Sequence, residues 1–146
     1  MGFVYCNVHP KGLKVGDCVK RAITKVTGKD YMEVQRELNR YKKKTGMAKF
    51  NSRDNWVPYL EKELGATPIK MTPQKGEKRF DGFTFPKAFP KGSYILQMSH
   101  HLTCCIDGVI YDTWDCRSSC IYKAWRIGEE GNLIPLIRPD RVRFEL

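Results

Sequence analysis

The Asp107-Gly108 dipeptide constrains the fold of this chain more than any other feature. It stands between HLTCCI (101–106) and VIYDTW (109–114), two runs rich in β-branched and aromatic residues. Asp-Gly between such runs favours a two-residue type I′ turn, which joins antiparallel strands with a defined register. The sequence therefore predicts a β-hairpin at this position.

The register that follows from this turn brings chemically useful side chains together. Counting outward from the turn pairs Thr103 with Asp112 and His101 with Trp114, and residues that lie opposite each other share one face of the sheet. Asp112 is then diagonal to His101, about 7–8 Å away at the backbone, which allows a carboxylate to meet an imidazole. We predict a His101–Asp112 pair, with Trp114 on the same face shielding it from water.

A second histidine–aspartate pair fits the same register on the opposite face. His100 would lie opposite Asp115 there, and the alternation pattern alone leaves both pairs open. His101 and Asp112 are favoured because they lie nearer the middle of the hairpin, where the geometry is better defined.

Helical signals precede the hairpin. Apolar residues at 19, 22, 23 and 26 have helical spacing, and Gly28 is a natural stop. Asp30 followed by Glu33 forms a capping-box pattern for a second helix, which ends near Thr45-Gly46. A third helix is predicted from Asn55 to Gly65 with Pro58 in its first turn, where a missing N–H costs little.

The remaining pattern predicts the fold class. Residues 72–92 form an irregular connection with one short helical turn near Phe85–Phe89, and YILQMS (94–99) and CIYKAWRI (120–127) are further β-rich runs. Helices followed by an antiparallel sheet make an α+β fold, and 146 residues suit a single domain, 1–146.

Cysteine usage and the absence of targeting signals suggest a location. We find no apolar run of signal-peptide or membrane-spanning length, so a cytoplasmic protein without membrane attachment is expected. The six cysteines are then expected to be free thiols. Because no C-x-x-C pair occurs, we expect neither a metal nor a cofactor; for zinc, Cys116, Cys120 and a histidine would be the natural ligands.

The chain carries a formal net charge of +10, concentrated at 42–44, 75–79 and 138–143. A basic domain is suited to binding nucleic acid, acidic proteins or anionic surfaces. A solvated face that keeps the protein soluble is an equally good interpretation. No zinc-finger, RNA-recognition or glycine-rich phosphate motif accompanies the charge, so nucleic-acid binding stays a secondary hypothesis.

Cys18 begins the first predicted helix, directly after Gly16-Asp17. A small core residue would explain a cysteine here. A helix N-terminus, however, also lowers the pKa of a thiol and increases its nucleophilicity. Nucleophilic catalysis would further require a base and a group that orients the base, roles that His101 and Asp112 could fill.

The order of cysteine at a helix start, histidine at a strand start and aspartate on the next strand resembles the papain-like cysteine peptidases. Asp112-Thr113-Trp114 is similar to their Asn-Ser-Trp segment, and the segment beginning at His101 to their histidine strand. The stretches GDCVKRAITKVTGKDY and GSYILQMSHHLTCCIDGVIYDTWDC also resemble small papain-like proteins of phages and mobile elements of Gram-positive bacteria, and the size is similar to that of bacteriocin-leader peptidases. These stretches, 16–31 and 92–116, are a minority of the chain.

The resemblance implies a papain-like fold and a cysteine hydrolase of peptide, isopeptide or related amide bonds. Cys18 would be the nucleophile, His101 the general base and Asp112 its orienting group, with Trp114 in support and no cofactor. A phage-encoded protein would act in the host cytoplasm. One position departs from the family: its oxyanion-hole glutamine is replaced by Gly12, and Asn7 is the nearest amide upstream.

Two other functions fit the sequence. A non-catalytic binding or inhibitor protein could use a papain-like scaffold and its basic surface to capture a host protein or nucleic acid. A cell-wall amidase is disfavoured because nothing in the sequence indicates export or glycan binding. The substrate and the oligomeric state are not specified by any motif.

Overall fold

The computed structural model describes residues 2–45, 53–71 and 76–128. These described segments form four α-helices and six β-strands, in the order β1 (Phe3–Tyr5), α1 (Cys18–Thr27), α2 (Tyr31–Thr45), α3 (Arg53–Pro58), β2 (Thr67–Ile69), α4 (Phe85–Ala88), β3 (Ser93–Met98), β4 (His101–Ile106), β5 (Val109–Asp112) and β6 (Lys123–Ile127). The prediction of an α+β fold is confirmed.

The six strands form one sheet in the order β1-β5-β4-β3-β6-β2. Every neighbouring pair is antiparallel except β1 and β5, which run parallel. The expectation of a purely antiparallel sheet built from the C-terminal half is therefore wrong: β1 and β2 come from the first half of the chain, and the sheet is mixed. Both strands are only three residues long, too short for an alternation pattern to reveal.

The hairpin forms as predicted close to its turn. Asp107 and Gly108 both have positive φ, 47° and 83°, as a type I′ turn requires, and Cys105 pairs with Ile110. Within the described 93–128 segment, the β4–β5 ladder extends no further than Cys104–Tyr111. The predicted ladder pairs that involve Asp112 and Trp114 do not form, because the chain bends after Asp112, which pairs with β1 instead.

Local signals set the first two helices. Gly28 takes a left-handed conformation (φ 75°) and ends α1, as predicted. The Asp30 carboxylate caps α2 by accepting hydrogen bonds from the backbone N–H groups of Met32 (3.0 Å) and Glu33 (3.3 Å). The short helix predicted near Phe85–Phe89 is α4.

The third helix differs from the prediction. It begins at Arg53, two residues before the predicted start, so Pro58 ends α3 instead of lying in its first turn. The chain then continues as one π-helical turn, Tyr59–Glu63, where the Leu64 N–H bonds to the Tyr59 carbonyl. Proline lacks an N–H and its ring crowds the carbonyl four residues earlier, which accounts for the wider turn that follows it.

Apolar side chains cover both faces of the sheet. On one face, α1, α2 and α3 pack over strand residues that include Ile95, Leu102 and Trp125. On the other, α4 and Phe80 pack against a second set that includes Leu96 and Ile110. In this arrangement α1, which begins with Cys18, packs against β4, which begins with His101.

The three basic runs of the sequence lie partly or wholly outside the described residues. The basic run 138–143 is outside them, the side chains of 43–44 are not described, and the 75–79 run lacks its first member. Within the described segments, no helix combines the length and the apolar character needed to cross a membrane.

Candidate active site

Cys18 is the first residue of α1, and its environment suits an anion. The helix has no acidic residue in its first turn. Asp17 precedes it, but its carboxylate makes no capping hydrogen bond; it accepts one from the Tyr31 hydroxyl (2.8 Å) and pairs with Arg21. The N-cap residue of α1 thus provides no side-chain cap for the first backbone N–H groups of the helix, which favour a negative charge near Cys18.

His101 lies at the start of β4 and contacts both neighbours that the sequence assigned to it. Its Nε2 lies 2.6 Å from Asp112 Oδ2, and His101 and Cys18 line the same cavity. Because Nε2 contacts Asp112, Nδ1 is the ring nitrogen available to the thiol. The structure thus places a thiol, an imidazole and a carboxylate, those of Cys18, His101 and Asp112, in one region of the fold.

Trp114 packs against this histidine. The two ring centroids are 4.9 Å apart with a tilt of 51°, although Trp114 itself is 48% exposed. The indole therefore covers one side of the imidazole while keeping its own outer face in solvent. The contact arises from the bend after Asp112 and not from the predicted ladder pairing.

Asp112 is buried, and donors surround both of its oxygens. Oδ1 accepts a hydrogen bond from the Thr113 backbone N–H (2.7 Å) and lies 3.5 Å from Arg21 Nη2. Oδ2 accepts hydrogen bonds from His101 Nε2 and from the Cys116 thiol, whose Sγ is 3.6 Å away. A carboxylate held by this many donors keeps its charge and its orientation.

The pKa shifts follow from these contacts. Burial alone would raise the pKa of the Cys18 thiol, but hydrogen bonds from His101 and from the Leu102 backbone, with the charges of His101 and Arg21, lower it below its ordinary value. Burial would lower the pKa of His101, but its hydrogen bonds to Asp112, Cys116 and Cys18 raise it to about 11. Burial opposes ionisation of Asp112, yet the His101 hydrogen bond keeps the pKa of its carboxyl low. These directions favour a thiolate–imidazolium pair near neutral pH.

The two mid-strand cysteines are unlike Cys18. Cys104 and Cys105 are fully buried, and burial raises the pKa of each thiol to about 12. A thiol with so high a pKa is protonated and unreactive near neutral pH. The thiol pKa is therefore lowered in Cys18 and raised in the two strand cysteines, Cys104 and Cys105.

The alkylation rate of Cys18 by iodoacetamide is expected to reach half its maximum at a lower pH than that of an unstructured single-cysteine peptide. The direction follows from the lowered pKa of the thiol, and the paired His101 remains protonated up to about pH 11. Mass-spectrometric mapping of each cysteine after timed labelling from pH 5 to 10 measures this difference. A Cys18 midpoint equal to that of the peptide would contradict the ion pair.

The alternative pair on the other face does not form. His100 lies exposed in the turn between β3 and β4, with φ 53°. Asp115 is exposed and pairs with Arg117 through two side-chain hydrogen bonds of 2.9 and 2.7 Å. The geometry agrees with the pairing of His101 with Asp112.

Asn7 is engaged in its own loop. Its Nδ2 donates to the Leu13 carbonyl (3.1 Å), and its Oδ1 accepts from the His9 backbone N–H (3.0 Å). These two hydrogen bonds of the Asn7 side chain hold the loop of residues 7–13 in place. Its suggested role as an oxyanion donor stays a prediction, and it would require the loop to release the amide.

One side-chain group in the described residues has the composition of a metal site. His101, Asp112 and Cys116 offer ligand atoms that all lie within 4.8 Å of one another. They supply three of the four ligands that tetrahedral zinc takes, at the expense of the His101–Asp112 hydrogen bond. Cys120, the other cysteine considered as a zinc ligand, is exposed and lies in a β-bridge to Asp81, so that predicted set is not assembled.

Sequence reasoning missed Arg21 and Cys116 as neighbours of the site. Arg21 links two carboxylates, Asp17 on its own helix and Asp112 on β5. The four-residue spacing from Asp17 to Arg21 is a recognisable helical ion-pair signal, but nothing local indicates the longer contact. Cys116 approaches Asp112 only because the chain turns back after β5.

The sequence matches no protein-family model and no curated protein, and the fold matches no solved structure.

Proposed function

We propose that the protein is a papain-like cysteine hydrolase that cleaves a peptide, isopeptide or related amide bond. The observation that carries the proposal is that Cys18 and His101 line one cavity of about 550 Å³ and that the His101 Nε2 lies 2.6 Å from the buried Asp112 carboxylate. A helix-borne thiol, a strand-borne histidine and a buried carboxylate have the roles that nucleophilic catalysis requires.

The proposed reaction has two halves. The Cys18 thiolate attacks the substrate carbonyl carbon and forms a C–S bond; the carbonyl oxygen becomes an oxyanion. As that intermediate collapses, the C–N bond breaks and protonated His101 gives its proton to the departing amine. Neutral His101 then removes a proton from water, which attacks the thioester. The C–S bond breaks, the acid product leaves, and the thiolate–imidazolium pair is restored.

Asp112 and the helix end support this chemistry. The carboxylate fixes which ring nitrogen of His101 faces the sulfur and stabilises the imidazolium. The uncapped N–H groups at the start of α1 can donate to the oxyanion. Losing one oxyanion donor costs about 10²–10³ in rate, so the missing glutamine predicts a slower enzyme than one with a complete set.

A chromogenic acyl ester tests the proposal without a known substrate. With p-nitrophenyl acetate, a cysteine hydrolase gives a burst of p-nitrophenol equal to the protein concentration, followed by steady turnover. EDTA in the same assay is expected to leave both phases unchanged, whereas a metal-dependent hydrolase would lose them. Absence of both burst and turnover in the folded protein would favour the alternative of a non-catalytic binding protein.

The Asp112→Asn variant is expected to fold and to retain partial turnover, about 10- to 100-fold below the parent. An amide still orients the imidazole but stabilises its cation less. Asp112→Ala should lose more because the orienting group is removed. Ester hydrolysis and circular dichroism measure both effects.

Asp115→Ala is the matched control, since Asp115 is an exposed carboxylate on the same segment that contacts Arg117 and not His101. We expect it to hydrolyse ester at the parental rate. A damaging Asp115→Ala together with a harmless Asp112→Ala would refute the third member of the triad.

A further inference from the structure

The cavity beside Cys18 has two unlike walls. Its lining includes the buried apolar residues Trp56, Met98 and Leu102 as well as the polar residues Arg53 and Gln97. Its volume of about 550 Å³ lies in the range of small-molecule and peptide-side-chain pockets. A group bound here would therefore meet an apolar surface and a cation next to the thiol.

The charge of the cavity is one-sided. Arg53 and His101 line it, and none of its lining residues within the described segments is acidic. The positive charge of protonated His101 balances the negative charge of the Cys18 thiolate. The positive charge of Arg53 then has no opposite charge among the lining residues. An anionic ligand group would supply the missing charge.

Arg53 is oriented for such a group. Its Nε donates to Gln97 Oε1 over 3.3 Å, which fixes one edge of the guanidinium. Among the described residues, no carboxylate forms an ion pair with Arg53. The terminal nitrogens of a guanidinium make the two-pronged fork that matches a carboxylate.

A second cavity, of about 340 Å³, shares Arg53 with the first. Lys70 and Lys123 line it and are exposed. Its acidic lining residue, Glu61, already accepts a hydrogen bond from the Trp125 indole N–H (2.8 Å). Three cations thus line two cavities that meet at Arg53, an arrangement that suits several acidic groups on one peptide better than a single small anion.

We infer that the cleft binds an acidic peptide segment, with a glutamate or aspartate side chain paired to Arg53 close to the bond that Cys18 attacks. This inference rests on the proposed function, because it names the substrate class of that same site. Further acidic residues of the segment would meet Lys70 and Lys123.

Paired affinity labels test the inference. Acetylated di-, tri- and tetrapeptide chloromethyl ketones carry either glutamate or glutamine at one, two or three positions before the reactive carbon, so that each pair differs only in charge. The inactivation rate constant of Cys18 is measured for each label. We expect the best glutamate label to react about 5- to 10-fold faster than its glutamine partner, and Arg53→Gln to remove this preference.

Lys87→Gln is the matched control, because Lys87 is an exposed cation on α4, on the opposite side of the sheet. It should retain the full preference for glutamate. Chloromethyl ketones alkylate a thiolate without any hydrolysis, so failure of turnover leaves this comparison intact. Failure of the proposed nucleophile would instead appear as equal, slow labelling of Cys18 by every reagent.

Two results would overturn the inference. One is a glutamate preference that Arg53→Gln and Lys87→Gln reduce equally, since this would reflect net charge and not the cleft. The other is protection of Cys18 by a single-stranded oligonucleotide at concentrations where an acidic peptide of equal charge gives none, with Arg53→Gln abolishing that protection. The surface would then be a nucleic-acid site.

Discussion

Cys18→Ala is expected to abolish the burst and lower steady ester hydrolysis by at least about 10⁴-fold, because the proposed acyl intermediate forms on this sulfur. Cys104 and Cys105 are buried with raised pKa values, so neither can substitute. The side chain is only half-buried at a helix start, so the unfolding free energy should fall by about 1 kcal/mol or less. Stopped-flow hydrolysis and urea unfolding measure the two effects.

Cys120→Ala is the matched control for Cys18→Ala. Cys120 is an exposed thiol, and we expect its variant to keep the parental burst. Retention of the burst in Cys18→Ala, with its loss in any other cysteine variant, would move the nucleophile to that residue and refute the proposed mechanism.

His101→Ala is expected to reduce ester hydrolysis by about 10⁴-fold and to move the alkylation midpoint of Cys18 to higher pH. Both effects follow from the loss of the imidazolium. It is the proton donor of the proposed reaction, and its charge lowers the pKa of the Cys18 thiol. The loss of alkylation at neutral pH is a readout that a merely structural histidine would not give.

Two further variants keep the His101 experiment interpretable. His101→Ala leaves the buried Asp112 with one donor fewer and is expected to lose stability, whereas His101→Gln can still donate to Asp112 but cannot transfer a proton. We expect His101→Gln to fold and to be inactive. His100→Ala alters an exposed turn residue and should behave like the parent. Parental activity in His101→Gln would contradict the general-base role.

The parts of the site that could be predicted depend on short-range rules. Asp107-Gly108 specifies the turn because both residues must adopt positive φ, and the turn brings β5 beside β4. The apolar spacing and the stop at Gly28 delimit α1, which begins at Cys18. With these two elements, the pairing of His101 with Asp112 follows from the sequence.

The parts that could not be predicted depend on contacts between distant segments. β1 is three residues long and gains its place only through parallel pairing with β5. That pairing accompanies the bend after Asp112, so Trp114 reaches His101 as a ring contact instead of a ladder partner. The approach of Arg21 to Asp112 joins residues 91 positions apart, and no local pattern encodes it.

The covalent intermediate tests the central claim most directly. The protein is mixed with p-nitrophenyl acetate, quenched in acid during the burst, and examined by intact mass and by mapping of the modified peptide. The proposed mechanism requires one acetyl group per molecule on Cys18, absent from Cys18→Ala and lost on further incubation in water. An unmodified Cys18 in the folded protein, or acetyl groups spread over several side chains at similar rates, would contradict it.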